Sequence, residues 1–198
     1  MVGAIADCRR PFTANLIERG GSAVERNRMR RLLLLRHAKS DWPADLEDRQ
    51  RPLSERGRRD APEVGRAMAK AKLFPALALV SPAIRTRETW ELVSPALQNP
   101  GFRFEDRLYG AAANVMLDLV RDTPAEIETL MLVGHNPGTE TLARAFAMSG
   151  DADAIRRINR KYPTAGLAVL ELPINDWKKA APPAGRLEMF LTPKTLDA

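Results

Sequence analysis

The sequence predicts a single-domain three-layer α/β sandwich, with a mostly parallel central sheet and helices on both faces. Two observations carry that expectation. From residue 31 onward, short apolar runs alternate with longer amphipathic segments in the order strand, helix, strand, helix. The runs are also continuous rather than alternating, as in strands buried on both faces. A chain of 198 residues has the length to bury a substantial core.

The elements follow in order. Residues 32–35, four leucines bounded by arginines, read as the first buried strand. Residues 41–53 read as a loop. Ser54 is a plausible N-cap for a helix whose apolar stripe runs through Ala61, Val64, Met68 and Ala71. Pro62 predicts that this helix begins late or kinks there. Residues 75–82 form a second strand, and Ser81-Pro82 reads as a cap followed by proline at the first helical position of 83–93. Residues 101–106 suggest a short third strand, 113–122 a helix, 129–135 a strand, and 136–148 a loop entering a helix. Residues 164–173 and 185–193 read as two further strands, paired with each other at the sheet edge.

Residues 1–28 differ from the rest, with a Gly-Gly and no sustained period. They lack the apolar stretch of a secretory signal. We expect a leader here, disordered or outside the working protein, with the domain spanning 29–198. No apolar run approaches the roughly 20 residues a membrane helix needs. The single cysteine, Cys8, excludes a disulfide framework and points to a reducing, cytoplasmic setting. With only two histidines, a zinc site would need carboxylates to complete it. The net charge of +6 raises the question of nucleic acid. The basic residues are dispersed among acids, however, and no nucleic-acid motif is present.

In open α/β sheets, ligands bind beyond the carboxyl ends of the strands. Arg36-His37, the turn from Ser81 to Arg85, and Gly134-His135 all fall there. Both histidines of the chain thus follow an apolar run, each with a turn behind it. Arginines can grip phosphoryl oxygens bidentately and neutralise transition-state charge. One neutral imidazole can attack phosphorus, and a second, protonated, can hold an oxygen. The reading needs no metal and no cofactor, because side chains supply all the positive charge.

The segments "LLLLRHAKSDW", "RPLSERGRRDA", "SPAIRTRET", "LYGA", "LVGHNPG" and "YPTAGLAVLEL" occur in this order from Leu32 to Leu172. In that order they resemble the histidine phosphatase (phosphoglycerate mutase-like) superfamily, and within it the small SixA-type phosphohistidine phosphatases. The resemblance implies that His37 is a nucleophile, transiently phosphorylated. It implies Arg36 and Arg85 as phosphate clamps and His135 as the second phosphate-binding histidine. Ser40 and Asn136 would lie near the pocket and bind substrate. Two positions depart from the commonest pattern: Ala38 stands where glycine is usual, and Pro43 follows Trp42 where mutase-like members often carry asparagine. Both favour a small phosphatase over a sugar-phosphate mutase.

Ester-cleaving members use a carboxylic acid near a "YG" element, for which Asp106 and Glu105 are the candidates. An imidazole leaving group needs less help, so neither joins the catalytic set. The expected partner is a phosphohistidine protein or a small phosphorylated metabolite, with no nucleic acid and no membrane, and the chain is expected to be a monomer. Two alternatives stay open: a phosphatase for a small phosphate ester, and a non-catalytic sensor of a phosphorylated ligand. Trp42 and Trp90 read as anchors, Thr86, Arg87 and Thr89 as support for Arg85, and Pro163-Thr164 as the opening of a strand. The basic run 156–162 reads as a solvated face in preference to a docking surface.

Overall fold

The computed structural model describes residues 29–98 and 100–196. The leader expected over 1–28, with Cys8, lies outside the described residues. Seven strands appear in chain order: β1 (Arg30–Arg36), β2 (Leu77–Val80), β3 (Gly101–Phe104), β4 (Thr129–Gly134), β5 (Ser149–Gly150), β6 (Leu167–Leu172) and β7 (Arg186–Leu191). The helices are α1 (Glu55–Lys70), α2 (Ile84–Val93), α3 (Ala113–Arg121), α4 (Gly138–Phe146), α5 (Ala152–Arg160) and α6 (Pro193–Leu196). One sheet joins the strands in the order β3-β2-β4-β1-β6-β7-β5. Its β3-β2-β4-β1 half is parallel, and β6 runs antiparallel to both β1 and β7.

The four leucines of β1 are explained by its central place. Leu32 and Leu34 pack with Met116, Leu119, Leu142 and Phe146 of α3 and α4. Leu33 and Leu35 pack on the opposite face with Ala61, Val64, Met68 and Trp90 of α1 and α2. All four are fully buried, each stabilising by about 1.5–3 kcal/mol relative to exposure. Two apolar layers sandwich one sheet, as expected.

Four details differ from the sequence reading. The first helix begins at Glu55 and runs through Pro62 to Lys70, so its start is not delayed. Ser54 caps it as expected, accepting from the Gly57 N–H, and its hydroxyl also donates to Lys39 O at 3.0 Å. Gly57 is needed there, because a Cβ would lie 2.1 Å from Lys39 O. Second, α2 starts at Ile84 with Ala83 at the N-cap, and the Ser81 hydroxyl makes no cap. Third, β6 is interior, lying between β1 and β7, although the pairing of β6 with β7 is as expected. Fourth, α5 was unexpected. Asp151 caps it by accepting from Ala154 N, while Ala154, Ile155 and Ile158 are its only apolar contacts with the core, too narrow a stripe to read locally.

Tyr162, fully buried, ties this frame together. Its hydroxyl donates to Leu34 O at 2.6 Å and accepts from Ala168 N at 3.0 Å, bridging β1 and β6. Tyr162→Phe leaves Ala168 N–H without that acceptor, so we expect a loss of about 1–3 kcal/mol in urea unfolding. An unchanged midpoint would show that the bridge contributes nothing.

Candidate active site

The site follows from strand register. β1 and β4 are parallel neighbours in which Arg36 sits opposite Gly134. The next residue of each strand is therefore a histidine, and both leave the sheet side by side. His37 N–H donates to Gly134 O at 3.1 Å, and the two imidazole centroids lie 5.3 Å apart. β2 borders β4 on the other side, with Val80 opposite Val133, which brings Ser81 level with Gly134, one residue short of the pair. The Ser81 hydroxyl and His135 Nε2 are hydrogen-bonded at 2.7 Å.

The tautomer of His37 is set by its neighbour. Nδ1 lies 2.7 Å from Ala38 O, and a carbonyl can only accept, so the proton sits on Nδ1 and the lone pair on Nε2. The backbone behind it is held in turn. Ala38 N–H donates to Thr89 Oγ1, and that hydroxyl donates to Arg85 O. Nucleophile loop and arginine helix are thus joined through Thr89. Ala165 N–H also donates to His37 O, fastening the loop to the turn before β6.

Both rings are buried, and burial dominates their titration. His37 is pushed down to about 3 by desolvation, against the bond to Ala38, with repulsion from His135, Arg85 and Arg36 adding to the effect. His135 is pushed down to about 4 by desolvation and by Arg85 and Arg36, with Asp48 opposing. The protonated second histidine of the sequence reading belongs to a site holding a phosphoryl group; the free site differs. In the free site both imidazoles are neutral, because two guanidinium charges already occupy this poorly solvated corner.

Arg36 donates to Tyr162 O at 2.8 Å, and its Nε is buried without a partner. Arg85, 6% exposed, donates to the main-chain oxygen of Asp48 and to its carboxylate, the latter at 2.9 Å. That carboxylate also accepts from Arg51 and from the Tyr109 hydroxyl, each at 2.9 Å. Partial burial works against ionisation of Asp48, but bonds from Arg51, Tyr109 and Arg85 hold it down to about 2. Arg51 donates onward to Ser40 Oγ at 2.8 Å and lies over the Trp42 ring at 3.4 Å.

The fold therefore brings Arg36, His37, Arg85 and His135 together. Ser40 joins through Arg51. Asn136 braces the turn after His135, donating to Glu140 and to Tyr162 O. Asp106 is highly exposed and ion-paired with Arg49 at 2.8 Å, and Glu105 is held ionised by Arg107 although its partial burial opposes this. Thr86 and Thr89 support the site, whereas Arg87 stacks on Phe104 away from it. Trp90 is core, but Trp42 is largely exposed.

Sequence reasoning missed Asp48, Arg51, Ser81 and Tyr109. Their only signals were the "RPL" and "LYGA" segments and the strand-end position of Ser81. Among the described residues, no group of three or more His, Cys, Asp or Glu side chains is placed to hold a metal ion, and no helix is long and apolar enough to cross a membrane.

His37 and His135 are the only histidines in the chain, so imidazole NMR reads them without ambiguity. Neither resonance should titrate between about pH 5 and 8, where an ordinary imidazole changes charge near 6.5. Because both folded pKa values are depressed below the unfolded value, stability is fully present above about pH 6.5. It should decline as pH falls from there through 4 and 3, the values in the folded site. A midpoint near 6.5 for either ring would contradict its burial.

Residues 32–116 match the histidine phosphatase superfamily (branch 1). An uncharacterised protein of Mycobacterium tuberculosis is 38% identical over 164 residues, spanning 81% of this chain and all of that one. The crystal structure of the Agrobacterium tumefaciens protein assigned as phosphohistidine phosphatase SixA superposes with a TM-score of 0.70 at 32% identity, covering 82% of this chain and 97% of that one. The protein histidine phosphatase SixA complexed with tungstate shares the fold at a TM-score of 0.68 and 19% identity, over 84% and 99% of the two chains. Motif order, sheet topology and these likenesses agree: the chain belongs to the histidine phosphatase superfamily and is of the SixA type.

Proposed function

We propose that this protein is a phosphohistidine phosphatase acting through a phosphoenzyme on His37. Membership of the superfamily supports phosphatase activity, and the local chemistry supports the narrower reading. One observation carries it: a neutral imidazole whose Nδ1–H is tied to Ala38 O, leaving the Nε2 lone pair beside a second histidine and two arginines.

In this reading, His37 Nε2 attacks phosphorus while the bond from phosphorus to the substrate imidazole nitrogen breaks. The departing nitrogen keeps the bond pair and takes a proton from solvent. Arg36 and Arg85 balance the charge on the phosphoryl oxygens. The Ser81 hydroxyl is hydrogen-bonded to His135 Nε2, and in this reading it donates there, so that the His135 proton lies on Nδ1, a buried atom without a partner in the free site. A small turn of the ring on phosphoryl binding would bring an imidazole N–H to a phosphoryl oxygen. Water then attacks phosphorus, the P–Nε2 bond breaks, its electron pair returns to Nε2, and phosphate leaves. Asp48 would release Arg85, in whole or part, as the phosphoryl group enters.

The acids favour phosphoramidate over ester. Asp48 is ionised far below neutrality, Glu105 is held as a carboxylate, and Asp106 is ion-paired at the surface. An alkoxide leaving group needs a proton donor, whereas a phosphohistidine nitrogen is readily protonated. The cytoplasmic setting inferred from cysteine usage belongs to the same reading.

The test is rapid quenching, in the presence of a chelator, after mixing with a phosphohistidine protein, phosphoramidate or p-nitrophenyl phosphate. We expect acid-labile phosphate on His37, none in His37→Ala, and a fall in kcat of about 10²–10³-fold in His135→Ala. Turnover of the ester alone would replace this reading with an ester phosphatase, and neither label nor turnover would leave a binding protein. Ser81→Ala should lower kcat about tenfold, the worth of one good hydrogen bond, with Ser81→Thr restoring it. No change in Ser81→Ala would show that His135 is positioned without it.

A further inference from the structure

A groove of about 770 Å³ opens beside the site, and Arg36 forms part of its wall. Its lining includes Lys39, Arg56 at the start of α1, and Arg157, Arg160 and Lys161 at the end of α5. Phe190 and the segment from Thr192 to Thr195, including Lys194, complete it. No aspartate or glutamate lines it.

Its cations divide into two sets. Arg36 is bonded to Tyr162 O, Arg56 to Asp60, and Arg157 to Asp153 and Phe190 O, so these three are held in place. Lys39, Arg160, Lys161 and Lys194 are exposed and make no side-chain hydrogen bond or ion pair among the described residues. Four uncommitted cations therefore line one concavity that shares Arg36 with the site. The run 156–162, expected to be a solvated face, supplies three residues of that lining, Arg157 and Arg160 of α5 and Lys161 just after it.

Resting on the reading that the substrate is a phosphohistidine protein, we propose that this groove seats an acidic segment flanking the phosphohistidine of the partner. The chemistry of the lining favours a protein over a metabolite. Sites for small molecules present a few buried, pre-oriented polar groups, whereas the free groups here are long and exposed. Such side chains suit an adaptable, rim-like contact that steers encounter and sets partner choice. Dispersed positive charge in a groove also raises association rates in a salt-dependent way.

The experiment compares two phosphohistidine peptides, one with glutamates and one with serines around the same phosphohistidine, alongside phosphoramidate. The wild-type chain should show kcat/KM at least about tenfold higher for the acidic peptide at low salt, with the preference lost near 0.5 M salt, where screening is nearly complete. The exposed triple variant Arg160→Glu/Lys161→Glu/Lys194→Glu should lose that preference while phosphoramidate turnover stays within about twofold of wild type. The glutamine version of the same triple change should fall between them, and circular dichroism checks that both are folded. Equal rates on the two peptides, or a preference that survives charge reversal, would overturn the groove.

Fluorescence anisotropy with the unphosphorylated acidic peptide reads binding separately from reaction. Binding that is lost in the triple variant, without hydrolysis of either phosphopeptide by wild type, supports the groove and overturns the phosphohistidine reading. No binding by wild type, or tighter binding of single-stranded nucleic acid or anionic vesicles, overturns the groove itself.

Discussion

The site depends on one pairing, the parallel ladder between β1 and β4 with Arg36 opposite Gly134. Parallel strands end at the same edge of a sheet, so residues that follow each strand emerge together. Here those residues are His37 and His135. A shift of one position in that register would separate the imidazoles and turn the leucines of β1 from one helical layer to the other. Both faces of β1 are apolar, so burial alone constrains it weakly, and the hydrogen bonds of His37, Ala38 and Ala165 beyond the strand add the remaining specificity.

The second constraint is electrostatic. Two guanidinium groups sit against two imidazoles in a poorly solvated corner, which is unfavourable unless the imidazoles stay neutral. Their neutrality is what makes one of them a nucleophile. Asp48 relieves the same corner from the opposite side, with its carboxylate held by Arg51, Arg85 and Tyr109. The loop that carries Asp48 is pinned at both ends, Asp41 N–H donating to Pro52 O and Ser54 N–H to Lys39 O. A segment without regular secondary structure over most of its length thereby acquires a fixed place at the site mouth.

Charge elsewhere is arranged differently. On the Asp48 side, arginines are committed to carboxylates, as with Arg49 and Asp106. On the α5 side, the groove next to Arg36 has cations and no acids. The reacting centre thus has a self-satisfied flank and an unsatisfied one, and the unsatisfied flank is where an anionic partner gains most.

The order of strands and helices, the burial of the leucine run, the Ser54 cap and the strand-end position of both histidines were all legible locally, because each depends on periodicity or on neighbours a few residues away. The motifs extended that reading to Arg36, His37, Arg85 and His135. Local pattern was misleading where a residue had two possible uses. Ser81 has the signature of a helix cap, yet its hydroxyl serves His135, a strand away. Helix α5 has too little apolar surface to announce itself. Asp48 and Arg51 sit in a stretch whose composition says only loop. Asp48 takes its role from Arg85 and Tyr109, tens of residues away, and Arg51 from the loop fold that sets it between Asp48 and Ser40, and no local rule encodes either. The sequence by itself determined which chemical groups stand at the strand ends. Only the tertiary structure decided their protonation, their partners and the groove beside them, because burial and charge proximity are properties of the packed chain.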